Sequence, residues 1–232
     1  MSSFEVDGVV VEWLGHASFK LKRDDLVVYI DPYNLNSVGS NEGLEKADLV
    51  LITHGHYDHC SLKDLELIIK PGTTIIAPPD CSSQISKLNS LETIKVEVVE
   101  PFKTLSVSLK GKNLVVKTIP AYNINKQFHQ RINNWVGYIV DFSNTGSDVR
   151  VYHAGDTDLI PEMESLANEN ITVALLPVGG TYTMNADEAA QAVSVIKPRI
   201  AVPMHYGSIV GSDSDALRFK ELAGKYCEVR VL

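Results

Sequence analysis

The chain has 232 residues, 44% of them hydrophobic and 22% charged, a composition ordinary for a globular core. With 21 Lys plus Arg against 29 Asp plus Glu, the formal net charge is −8, which argues against general binding to the phosphate backbone of nucleic acids. The first residues lack the basic and apolar regions of a signal peptide, and no apolar run reaches membrane-spanning length. The three cysteines, Cys60, Cys81 and Cys227, form no CxxC pair, so packing is expected of them rather than a disulfide framework. A single domain over residues 1–232 in a reducing cytoplasm is the expectation.

Taken in order, Val9 to Leu14 and Ala17 to Leu21 read as strands around Gly15-His16, and Asp24-Asp25 as a turn before a third strand, Leu26 to Ile30. Asp31-Pro32 closes that strand and opens a polar stretch, Asn34 to Glu45, expected to be a surface loop bordering a site. Leu49 to Thr53 is a continuous apolar run, the pattern of a strand buried on both faces. Directly after it comes Thr53-His54-Gly55-His56-Tyr57-Asp58-His59-Cys60. His54, His56, Asp58 and His59 place three imidazoles and a carboxylate within six residues, donors that suit zinc and its first-row neighbours. A strand ending there delivers His54 and His56 at its tip, and the next turn brings Asp58 and His59 round beside them.

Ser61-Leu62-Lys63-Asp64 fits a helix-capping signature, Leu65, Ile68 and Ile69 continue the helix, and Pro71-Gly72 stops it. Thr73 to Ala77 reads as a short strand and Asp80 to Leu88 as a helix. In the middle of the chain Val96 and Val98 alternate with charge, as do Leu105, Val107 and Leu109, the pattern of half-exposed antiparallel strands. Leu114 to Ile119, Trp135 to Phe142 and Val149 to His153 complete this set around a polar segment, Asn123 to Asn134. The last third alternates: a helix Pro161 to Asn168, a strand Ile171 to Pro177, and a helix capped by Asn185 with Glu188 at the capping-box position. A strand Ile200 to Met204 and a closing helix Asp215 to Tyr226 follow.

The H-x-H-x-D-H run after an apolar strand resembles the metallo-β-lactamase superfamily of metal-dependent hydrolases, and Gly15-His16-Ala17-Ser18-Phe19 resembles the branch that includes ascorbate phosphate lactonases and the phospholipase D acting on N-acyl-phosphatidylethanolamine. The resemblance implies an α/β fold, a four-layer αββα sandwich of two mixed sheets with helices outside. Two batches of strands, each followed by helices, are compatible with it. It further implies that Asp156, in Gly155-Asp156-Thr157, bridges two metal ions, with Asp158 as the fallback carboxylate. His205, before Tyr206-Gly207, would complete the second ion's shell with Asp58 and His59. His16 would orient a ligand carboxylate from outside the shell, and His153 reads as a hydrogen-bonded core imidazole.

One departure stands out. Where the superfamily places a third imidazole for the first ion, this chain has Asn123 in Thr118-Ile119-Pro120-Ala121-Tyr122-Asn123. Either His129 folds back into the shell or over the substrate, or the first site is weak and one ion suffices. Lys126 and Arg131, beside His129, are candidates with Asn123 for binding an anionic substrate.

The expected function is hydrolysis of an ester, lactone or phosphodiester of a small, anionic molecule by a water that loses its proton on one or two zinc ions, with manganese, iron or nickel as substitutes. Asp58 would also orient the nucleophile, and His129 would serve the developing charge or the leaving group. A non-catalytic metal-binding or ligand-sensing domain on the same fold is the alternative, raised by Asn123. An iron oxidoreductase of the flavodiiron kind is the weakest reading. No nucleic acid and no membrane span are expected, and a homo-oligomer is allowed.

Overall fold

The computed structural model describes residues 2–37 and 44–232. Half of the polar stretch Asn34 to Glu45, residues 38–43, therefore lies outside the described residues. The chain divides into two compact units: Met1–Glu100 with Ser108–Lys112, and Pro101–Val107 with Asn113–Leu232.

The first unit holds a seven-stranded sheet in chain order: β1 (Ser2–Val6), β2 (Val9–Gly15), β3 (Ser18–Arg23), β4 (Leu26–Ile30), β5 (Leu49–Leu51), β6 (Thr74–Ala77) and β7 (Lys95–Val98). The strands from β1 to β4 pair antiparallel, while β4, β5, β6 and β7 run parallel. Every residue of β4, β5 and β6 but none of β7 is buried, which is why the first three read as continuous apolar runs. β1 has no counterpart in the sequence reading. β7 corrects it: the alternation at Val96 and Val98 comes from a parallel edge strand exposed to solvent, not from an antiparallel one.

Helix α1 (Leu62–Ile68) begins where the capping signature places it, with Ser61 Oγ accepting from the Asp64 amide. Asp64 is itself buried, and its two carboxylate oxygens accept from the Asn34 and Leu35 amides at 2.9 and 2.8 Å. The helix buries Leu65 and Ile68 in a core with Tyr29, Val50, Ile52 and Ile75. The helix expected over Asp80 to Leu88 is shorter: a 3-10 turn, Pro79–Cys81, leads into one turn of α2 (Ser82–Ile85). Cys60 and Cys81 are packed in this core as free thiols.

The second sheet runs β14-β13-β12-β11-β10-β9-β8, with β8 (Thr104–Leu109), β9 (Lys112–Pro120), β10 (Val136–Asp141), β11 (Arg150–His153), β12 (Val173–Pro177), β13 (Ile200–Met204) and β14 (Glu228–Val229). It repeats the earlier switch: β9, β10 and β11 pair antiparallel, and β11 to β14 run parallel. Residues 161–168 form a 3-10 helix. α3 (Ala186–Ile196) opens on a complete capping box, Asn185 Oδ1 accepting from the Glu188 amide and Glu188 Oε2 from the Asn185 amide, both at 2.9 Å. It buries Ala189, Ala192, Val193 and Ile196 and packs on β12 and on α4 (Asp213–Ala223). No helix among the described residues is long and apolar enough to cross a membrane.

The start of β5 is fixed electrostatically. Asp48 is buried, accepts from the Val27 amide at 2.9 Å, and is ion-paired with Lys70 at 2.6 Å and Lys110 at 2.9 Å. Burial raises its carboxyl pKa, and the hydrogen bonds from the two lysines and the amide more than reverse that, so it lies below the usual value. A group depressed in the folded state contributes stability above its unfolded pKa, lost as pH falls through the folded one. Asp48→Asn should therefore be less stable than wild type at neutral pH, with the gap in urea midpoint closing as the solution is acidified below about pH 4.

Candidate metal centre

In the first unit the donors gather after the carboxyl ends of β4 and β5. His54, Asp58 and His59 are buried and His56 half-buried. A tight turn, with the His59 and Cys60 amides both donating to the His56 carbonyl at 3.0 and 2.8 Å, folds Asp58 and His59 back toward His54. The His54 ring lies 4.0 Å from that of His59 and 4.6 Å from that of His56, centroid to centroid.

The residue that organises them is Asp31, which the sequence reading took only as the end of a strand. Fully buried after β4, it accepts from the Thr53 amide at 2.8 Å through Oδ1, and from Thr53 Oγ1 at 2.6 Å through Oδ2. His59 Nδ1 lies 2.8 Å from Oδ2. A carboxylate accepts only, so His59 carries its proton on Nδ1 and presents the Nε2 lone pair. Thr53 Oγ1 has given its one proton to Asp31, so the 2.9 Å contact to His54 Nδ1 is a bond donated by the imidazole, and His54 too presents Nε2. His54 Nε2 and His56 Nδ1 stand 3.0 Å apart. The lone pair of His54 Nε2 can thus be met by His56 Nδ1–H or by a cation that both rings hold. The donor set fits a divalent cation of the first transition row, with Asp31 and Thr53 outside it fixing the tautomers of His59 and His54.

His16 lies beside Asp58, its Nε2 3.0 Å from Oδ2. It is buried and adopts a left-handed backbone, φ 52°. Gly55, between His54 and His56, is pinned on both sides: its amide donates to Asp80 Oδ2 at 3.1 Å and its carbonyl accepts from Gln84 Nε2 at 3.1 Å. A β-carbon there would stand 2.7 Å from Asp80, so this position takes glycine for closeness of approach.

In the second unit Asp156, after β11, and His205, after β13, are both buried. His205 Nε2 and His129 Nε2 converge on the same oxygen, Asp156 Oδ2, at 3.1 and 3.2 Å. His129 is therefore not a solvent-exposed loop residue; it is 3% exposed. Its Nδ1 lies between an acceptor, the Tyr182 carbonyl at 3.1 Å, and a donor, Asn123 Nδ2 at 3.2 Å, so either tautomer finds a partner there. Asn123 Nδ2 donates to the same carbonyl at 2.7 Å, and the Asn123 amide to the His129 carbonyl at 2.7 Å. That fixes the amide orientation and leaves Asn123 Oδ1 buried with no hydrogen-bond partner. Gly179 makes room for the His205 backbone, whose carbonyl would be 2.5 Å from an added β-carbon.

The remaining candidates are engaged elsewhere. Asp158 accepts from the Ile124 amide at 3.0 Å and pairs with Lys126, which also donates to the Thr183 carbonyl at 2.7 Å. Arg131 pairs with Glu162 at 2.9 Å and lies over the Tyr122 ring. His153 is fully buried, its Nδ1 accepting from the Gly155 amide at 3.1 Å. Asp31, Thr53 and the Tyr182 carbonyl carry no local sequence signal; only an Asp at a strand end next to the motif strand could have pointed to the first of them.

A family model described as a beta-lactamase superfamily domain matches residues 10–205. A UPF0173 metal-dependent hydrolase of Pyrococcus horikoshii is 37% identical over 231 residues, 97% of this chain and 96% of its own length. Among solved structures, a protein of Parabacteroides distasonis described as a metal-dependent hydrolase is 29% identical, with a TM-score of 0.78 over 99% of this chain and 96% of the other. A metallo hydrolase of the archaeon Ignicoccus hospitalis is 25% identical, with a TM-score of 0.76 over 97% and 94%. The two mixed seven-stranded sheets and this likeness agree with the fold class read from the sequence.

Asp31→Asn keeps the volume but offers His59 and Thr53 a weaker, half-donating partner. It should lower affinity for zinc about 10- to 100-fold, read by competition with a chromogenic chelator. An unchanged affinity would remove Asp31 from the support of the site.

Proposed function

We propose that this chain, which belongs to the beta-lactamase superfamily and has relatives named metal-dependent hydrolases, hydrolyses an ester, lactone or phosphodiester of a small molecule at a zinc centre. Hydrolysis is the reaction class of the family; the bond and the metal are the finer parts of the reading. His54, His56, Asp58, His59, Asp156 and His205 serve as ligands within one catalytic domain over residues 1–232, in keeping with a family match that runs through both units. His129 joins them as the imidazole that Asn123 does not supply, rather than acting over the substrate. The convergence of two imidazole Nε2 atoms on one buried carboxylate oxygen of Asp156 carries this assignment.

When bound, the metal supplies Lewis acidity and a water acidic enough to ionise near neutral pH. The protein's own groups do the rest. Asp58 takes and orients the nucleophile's proton, held in place by His16. Asn123 Oδ1, an acceptor without a partner, receives a donor from the substrate or a water. A soluble, cytoplasmic setting and a small-molecule partner fit the net charge of −8.

Elemental analysis should find zinc bound in wild type and less of it per chain in His129→Ala; an equal count would return His129 to a role over the substrate. Turnover of aryl ester, lactone and phosphodiester panels should fall at least about 100-fold in Asp58→Ala. A fully metal-loaded wild type that turns over none of them would favour a binding domain.

A further inference from the structure

The segment that delivers His129 also presents apolar side chains to solvent. Ile124, Phe128 and Ile132 are 53%, 50% and 81% exposed, while His129 between them is buried. Exposed large apolar groups this dense in nine residues forgo the stabilisation that burial would give. Phe128 is ordered by an edge-on contact with Tyr182, rings 4.9 Å apart at 80°. Tyr182 is also the residue whose carbonyl holds Asn123 and His129. The apolar wall and the donor set are thus fixed by one residue.

The cations of the same segment point to the same class of substrate. Lys126 is neutralised by Asp158 and Arg131 by Glu162, so an anionic substrate would have to break one of these pairs to gain a partner. We infer that the substrate is neutral, an ester or lactone rather than a phosphodiester, and carries an apolar arm, alkyl or aryl, that Phe128, Ile124 and Ile132 cover while the scissile group meets the metal centre. This rests on the proposed hydrolase reading and replaces the anionic substrate expected from Lys126 and Arg131.

The test is calorimetric titration of the zinc-loaded protein with acetohydroxamate and octanohydroxamate, which share a metal-binding head and differ in the apolar arm. Wild type should bind the octanoyl compound at least about tenfold more tightly, and the double variant Phe128→Ser, Ile132→Ser should keep its zinc but lose most of that preference. Equal affinities for the two compounds, or binding of neither, overturn the inference. So does a preference that survives in the double variant, or a wild-type dimer in sedimentation that the double variant dissociates, which would make the segment an interface between copies. The underlying reading fails separately, as a protein that retains no zinc by elemental analysis.

Discussion

All the candidate donors but His129 depend on where parallel strands end. In each sheet the pairing changes from antiparallel to parallel, at β4 in one and β11 in the other. Parallel register aligns carboxyl ends: Ile30 lies opposite Leu51, and His153 opposite Leu175, itself opposite Val202. The residues just past those ends are Asp31 and the Thr53-His54 pair in one sheet, Asp156 and His205 in the other. Ligand sites at the carboxyl ends of parallel strands are a general outcome of this geometry. Here it does something specific: one carboxylate, Asp31, reaches across to the next strand's tip and settles the protonation of two imidazoles through Thr53 and His59.

Local chemistry was readable from the chain. The H-x-H-x-D-H run, the Ser61 and Asn185 caps and the buried strands β4, β5 and β6 all follow from side chains within a few residues of one another. What escaped depends on register. Asp31 acquires its meaning only because Val28 pairs with Leu49, and β7 is parallel only because it follows β6 across a long connection. The carbonyl of Tyr182 has no sequence signature at all, since any residue would supply the same oxygen. The partners of Lys126 and Arg131, Asp158 and Glu162, were likewise out of view because they lie some thirty positions away. β1 was overlooked because exposed Ser and Glu mask its pairing with β2.

Asn123 and His129 are tied together through Tyr182. The Asn123 side-chain amide ties down the carbonyl that also holds His129, and its backbone amide bonds the His129 carbonyl. The position usual for an imidazole has become the anchor of a loop that brings one in from six residues further on.

Four residues at the site, His16, Asp31, His129 and His205, have φ between 47° and 60°, in the left-handed region where a β-carbon is a burden of roughly 1–2 kcal/mol each. Glycine would be easier on the backbone at all four, yet none is glycine. A search for thermal robustness alone would drift toward replacing them and would erase the centre first. In this protein the route to greater stability and the route to inactivity begin at the same residues.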